Sequence, residues 1–280
     1  MTKIRVTRIL PITIIIILII GLFYWPTLRW LFNSWLSSEY YNQGFLVPFV
    51  SLFFFWTERK QLQSDRSLTV AIPLLITSIL LYALSFVWDI RFISALSLLI
   101  MITAAVFYFF GNKGARKLLF PLCFLLFMVP FPFVPNLAFK LQQLSLLSSS
   151  HLLTLLGFPI TTSGAEIFLA KSAFTVGIPC SGINSLVALL ALGAVYAFIL
   201  EGNIFERFGL FIVTLPLAIA GNILRITSVI LVAYYVDVAT ATGWFHTLAS
   251  PVFFIIEFFI LLFIGWAMRL KINYQALGMK

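Results

Sequence analysis

The chain is poor in almost everything that chemistry in water uses. Of its 280 residues only nine are acidic, two are cysteine and two are histidine. Charged residues make up 10%, against roughly 25% in water-soluble domains, and that balance excludes an ordinary soluble domain. The cysteines (Cys123, Cys180) and histidines (His151, His246) are too scattered in depth to assemble a metal site. No glycine-rich phosphate loop appears either, so no metal or other cofactor is expected. There is no repeat and no low-complexity tail. The first apolar run follows Lys3, Arg5 and Arg8 but lacks the small-residue cleavage site of a signal peptide; "YWPTLRW" comes next. It reads as a retained span.

What is present is apolar. Hydrophobic residues make up 62%, with 31 Phe and seven Trp suited to lipid-facing packing and interfacial belts. Segments near the length of about 20 residues that a span needs fall at about 9–26, 44–56, 70–88, 92–110, 118–134, 183–200, 208–236 and 247–268. They predict an all-α membrane protein, a polytopic bundle of about eight transmembrane helices. The whole of 1–280 reads as a single integral-membrane domain with its core at 40–268. Most of the 18 basic residues, from Lys3 to Lys280, fall in one set of loops; the opposite set holds only Arg29, Arg91, Lys140 and Lys171. The positive-inside rule places the first set, and both termini, in the cytoplasm. The net charge of +9 belongs to those loops and calls for no nucleic acid.

One connection, at about 135–182, is a long extracytoplasmic loop in this reading. Its first half, "LAFKLQQLSLLSSSHLLTLLGF", has the spacing of a helix lying in the interface. Its second half, around "AKSA", has two short runs that fit a small β-hairpin.

Polar residues at membrane depth are functional candidates. Cys180, in "FTVGIPCSGINSLVALLALG", lies at the outer start of the sixth span. There Ser181 fits an N-cap, Gly182 admits close approach, and the helix dipole favours a thiolate. The alternative is a packing cysteine, which is the reading given to Cys123. Arg225 in "LAIAGNILRITSVI" falls about 26 Å along the seventh span, at the height of Cys180, with Asn222 one turn earlier on the same face. It serves the site or snorkels to the headgroups. His246 in "GWFHTLASP" opens the eighth span on the same side and suits proton transfer near neutrality. His151, the rival, reads as a surface residue. Glu257 sits about 16 Å further along that span, neutral or paired with Asn, Ser or Tyr. Cys180, Arg225 and His246 thus share one layer, as nucleophile, oxyanion stabiliser and acid–base.

"VGIPCSGINSL", "GNILRI" and "GWFHTLASP", in that order, resemble the exosortase/archaeosortase family of membrane transpeptidases. So do the stretches "YNQGFLVPFVSLFFFW" and "FPLCFLLFMVPFP", which extend the resemblance over about 40–250. The resemblance implies catalytic Cys180, Arg225 and His246, with Ser181, Gly182 and Asn222 in support. It implies a cysteine transpeptidase of a prokaryotic inner membrane with its active site facing outward. Its partners would be secreted proteins ending in a short motif, a transmembrane helix and a basic cluster, cut through a thioester and passed to an amine or lipid-linked acceptor. The chain departs from the family at Gln43–Gly44, where many members carry "HG". Two other readings remain open: a rhomboid-like protease using Ser181, and a non-enzymatic transporter or polysaccharide-export subunit using Arg225 and Glu257. A membrane acyltransferase lacks its carboxylate partner near His246.

Overall fold

The computed structural model describes residues 18–38, 40–62, 66–163, 166–168, 173–175, 177–274 and 276–277. Two compact units divide the chain, Met1–Pro132 with Tyr274–Lys280, and Phe133–Asn273. Among the described residues four helices are long and apolar enough to cross a membrane: Leu68–Val87, Arg91–Lys117, Ile204–Tyr235 and Val238–Ala267.

The first unit carries α1 (Trp25–Ser37), α2 (Leu46–Glu58), α3 (Leu68–Val87), α4 (Arg91–Lys117) and α5 (Leu119–Phe124). The first half of the expected span at 9–26 lies outside the described residues; helix is present at 18–23 and resumes as α1. α3 and α4 form an antiparallel pair, and most of what α3 buries is small and polar. Ala71, Ser78 and Ser85 face inward on α3, while Ile72, Ile76 and Leu80 are exposed. In hydrocarbon, apolar side chains gain nothing by leaving lipid, so close packing of small residues holds such helices together. The serine hydroxyls donate to carbonyls three residues back, Ser78 to Leu75 and Ser85 to Tyr82, and so cost nothing in desolvation.

The expected span at 92–110 is present as α4, which breaks at Gly111 (φ 60°, ψ −165°), a conformation that glycine alone adopts freely, before running on to Lys117. The expected span at 118–134 is short and broken: α5 passes into a 3-10 turn, Leu125–Met128, and Val129 is extended because Pro130 follows. Here Tyr41 ties "YNQGF" to "VPFP": its hydroxyl accepts from the Phe131 N–H at 2.8 Å, and burial pushes that phenol up to about 12. Trp35 donates to the Met128 carbonyl at 2.8 Å and covers Gly44, where any Cβ would collide with the indole.

The second unit holds α6 (Val134–Leu155), β1 (Thr161–Ser163), β2 (Glu166–Phe168), β3 (Ala173–Thr175), α7 (Ile183–Ile199), β4 (Leu200–Glu201), α8 (Ile204–Tyr235), α9 (His246–Ala267) and β5 (Lys271–Ile272). The two runs around "AKSA" pair as expected, as antiparallel β2 and β3, and β1 adds a third strand in the order β1–β2–β3, with Ile167 opposite Phe174 and Thr162 opposite Ile167. Ile167 is fully buried in a cluster with Leu146, Leu153, Ile226 and Ile230, which anchors the sheet to α6 and α8.

α6 is the helix expected in the first half of the loop, and its buried face mixes polar and apolar side chains. Gln142, Ser145, Ser149 and Ser150 are buried beside Leu146 and Leu153, whereas Leu144, Leu147 and Leu155 are exposed. The polar stripe packs on α8, and Ser149 donates to the Ile223 carbonyl at 2.9 Å. α8 begins with a capping box, Asn203 accepting from Phe205 N–H and Glu206 accepting from Asn203 N–H. Arg207 then caps α7 by donating to the carbonyls of Ala197 and Phe198. Glycines let the helices close up, Gly193 of α7 against Thr214 of α8, and Gly265 of α9 against Tyr196 of α7.

Gly193→Leu therefore overpacks the α7–α8 contact, at a cost of about 1–3 kcal/mol. The thermal midpoint in detergent should fall by roughly 5 °C. Gly209→Ala, on the open side of α8, should leave it unchanged or slightly raised.

Candidate functional site

Cys180 lies in the 3-10 turn Ile178–Ser181 that leads into α7. Gly182 follows with φ 74° and is itself the N-cap. A side chain at Gly182 would meet a steric wall, because the Asn222 amide lies flat against it. Asn222 Nδ2 donates to the Cys180 carbonyl at 3.2 Å and to Ser145 Oγ at 2.9 Å. One amide thus fastens the thiol-bearing turn to both α8 and α6. Ser181, expected as the cap, is not: its buried hydroxyl only accepts from the Ile183 N–H at 3.4 Å.

His246 is the first residue of α9, and its Nε2 lies 3.0 Å from Cys180 Sγ. A five-residue π-turn, Ala241–Phe245, immediately precedes it, with Gly243 leaving helical geometry at ψ −117°. Upstream, Asp237 caps the turn Val238–Thr240 by accepting from Thr240 N–H and Oγ1–H, and these bonds hold its carboxyl below the usual range. The loop that delivers the imidazole is therefore fixed at both ends.

Arg225 is 5% exposed on α8. Its Nη1 donates to Ser250 Oγ at 3.1 Å, and Ser250 in turn donates to the His246 carbonyl at 3.3 Å. The guanidinium and imidazole are thus coupled through one turn of α9. The charge of Arg225 also reaches Cys180 and Glu257. Glu257 is 3% exposed, with its carboxyl pressed against Gly221, one residue before Asn222. The Asn, Ser or Tyr partner expected for it does not satisfy Oε2. Asn222 Oδ1, Arg225 Nη2 and Glu257 Oε2 are the buried side-chain N and O atoms without a hydrogen-bond partner among the described residues. All three belong to this cluster.

The structure thus gathers Cys180, Arg225 and His246, with Gly182 and Asn222 shaping the thiol turn. His151 is exposed near the end of α6. Cys123, expected to pack, is exposed on α5, and both cysteines are free. Ser145 and Ser250 were not found by sequence reasoning. Their signals were present: Ser250 follows His246 by four residues, and Ser145 lies in the polar stripe of α6. The expected thiolate is corrected as well. Cys180 lies outside α7 beyond a left-handed glycine, and burial pushes its thiol above the ordinary 9.0 while Arg225 pulls it back. The neutral thiol is the resting form at pH 7.

A multi-pass helical membrane protein with a thiol, an imidazole and a guanidinium in one buried cluster is the class these observations define. The chain belongs to the transmembrane exosortase family, whose model (Exosortase_EpsH) matches residues 35–263. No curated protein and no solved structure is found to match it.

In a Cys123→Ser background, alkylation of Cys180 by iodoacetamide should rise with pH through a midpoint above 9.0. The reactive thiolate is the base form, and a nearby positive charge favours it, so Arg225→Gln should move that midpoint to higher pH. A rate–pH curve by mass spectrometry checks the direction; an unchanged or lower midpoint would refute the coupling.

Proposed function

We propose that the protein is a membrane cysteine transpeptidase acting on the C-terminal tails of secreted proteins at the extracytoplasmic face. The contact of 3.0 Å between Cys180 Sγ and His246 Nε2 carries this reading. The imidazole tautomer with a bare Nε2 takes the thiol proton as Sγ attacks the scissile carbonyl. The oxyanion is received by Arg225, whose Nη2 has no other partner. When the C–N bond breaks, the imidazolium returns that proton to the departing nitrogen, leaving the protein as a thioester on Cys180. An acceptor amine then attacks the thioester, His246 takes its proton, and the thiol is restored. Water in place of the amine gives hydrolysis by the same steps.

The substrate's own transmembrane helix would enter sideways among the spans and bring its motif to the layer of Cys180. The sheet at 161–175 is rooted beside the thiol through Ile167, in a cluster against which Cys180 packs. It is suited to cover the bond and keep water out. Use of Ser181 as nucleophile has less support, since that hydroxyl is buried and the imidazole contacts the neighbouring sulfur.

Cys180→Ala should abolish processing of a tailed secreted substrate in reconstituted membranes, while Ser181→Ala retains most of it. Loss with the Ser181 variant alone would overturn the assignment. Arg225→Lys keeps the charge but loses the planar fork. It should cost about 10²–10³ in rate while the protein remains folded by thermal midpoint. A transporter using charge alone would tolerate it.

A further inference from the structure

The unit without the thiol contains a cleft of about 560 Å³ between α4 and α5. That is within the range of roughly 300–1,000 Å³ typical of clefts that hold a small ligand. It exists because α4 breaks at Gly111: the chain turns there, and α5 folds back beside the earlier part of α4. Leu96, Leu99 and Phe107 form one wall, and Leu122 and Leu126 the other. Thr103 also lines it, but its hydroxyl donates to the Leu99 carbonyl at 2.8 Å, which leaves a methyl-bearing surface. Polar groups that remain free to bind gather at one end, after the break. These are Asn112 and Arg116, both exposed.

The dimensions match half a bilayer. From Leu96 to Phe107 the helix rises eleven steps, about 16 Å, close to half of a hydrocarbon core of about 30 Å. The cation at the end is uncommitted. Lys117, one residue on, donates to Gln61 Oε1 at 2.9 Å. Arg116 has no ion-pair partner among the described residues, where the one ion pair is Arg91 with Asp89. An apolar slot one leaflet long that ends in a free guanidinium and an amide is complementary to one kind of molecule.

We propose that this cleft binds an anionic phospholipid, with an acyl chain between α4 and α5 and the phosphate on Arg116 and Asn112. Arg116 supplies paired N–H donors to two phosphate oxygens, and Asn112 supplies a third. The apolar wall gives affinity for any acyl chain, and Arg116 gives the preference for negative charge. The site is independent of the thiol chemistry, so its test is independent too.

Native mass spectrometry of the full chain, titrated with phosphatidylglycerol or phosphatidylcholine, reads this directly. Wild type should retain one phosphatidylglycerol with about fivefold tighter apparent Kd than phosphatidylcholine, the increment one basic residue adds at an anionic surface. Arg116→Gln should bring the two lipids level, while Lys117→Gln keeps the preference. Leu122→Trp fills the slot without touching charge and should weaken both lipids; it decides the matter should Arg116→Gln not survive purification. Millimolar inorganic phosphate should not displace the lipid. Equal affinity in wild type, a preference that outlasts Arg116→Gln, tight binding in Leu122→Trp, or displacement by phosphate each overturns the proposal.

Discussion

A guanidinium held almost wholly out of water, with no carboxylate in contact, is the constraint on which the thiol-bearing unit depends. Such a charge costs several kcal/mol unless dipoles or counter-charges surround it. Arg225 has one hydroxyl, Ser250, as a direct partner, and one buried carboxyl, Glu257, within reach of its field. That arrangement leaves one buried donor, Arg225 Nη2, without a hydrogen-bond partner among the described residues. The rest of α8 has to hold this residue in place, and it does so through Asn222 one turn away and through contacts with α6, α7 and α9. α8 is itself well packed, with Leu210, Thr214 and Ile230 fully buried.

The means of packing follow from the solvent. Lipid tails are as apolar as leucine, so burying leucine gains little and close approach of backbones gains more. Many serines, alanines and glycines therefore face inward beside a core of leucines, while other leucines and phenylalanines face out. α6 shows this in part, with Ser145 and Ser149 buried and bonded to α8 while Leu144, Leu147 and Leu155 are exposed. The same packing makes the thiol site possible. Ser145 steadies the amide of Asn222, and that amide in turn holds the carbonyl of Cys180, so helix packing and site geometry share their hydrogen bonds.

How much of this was legible in the sequence depended on what kind of signal each feature leaves. Arg225 and His246 stand out because hydrocarbon normally excludes them, and counting residues along a helix was enough to bring them level with Cys180. The long spans at 70–88, 208–236 and 247–268 were legible for the same reason: each is an unbroken apolar run. Hidden were the features set by orientation. The spacing of α6 showed a helix, but not that Gln142, Ser145 and Ser149 would be buried beside Leu146 and Leu153. The apolar run at 118–134 looked continuous, although Pro130 forces Val129 out of helix and Gly111 had already turned the chain. Ser250 and Ser145 are ordinary residues whose roles depend on which neighbours the packing brings, and no spacing rule names those neighbours.

The resting state of the thiol follows from a competition between two effects on one sulfur. Burial disfavours the thiolate, and Arg225 favours it; burial wins, so the sulfur stays protonated at neutral pH. On the proposed reading this has a chemical consequence. A permanently ionised thiol at a membrane surface would be open to oxidation and to stray electrophiles, whereas a neutral one is quiet. Activation then falls to the imidazole 3.0 Å away, which removes the proton only as the new bond to carbon forms. Arg225 helps little in the resting state, where the thiol is neutral, and most when negative charge has moved onto the carbonyl oxygen. Stabilisation that appears with the transition state and is nearly absent before it is what accelerates a reaction. The costly burial of Arg225 and the suppressed acidity of Cys180 are therefore two sides of one arrangement.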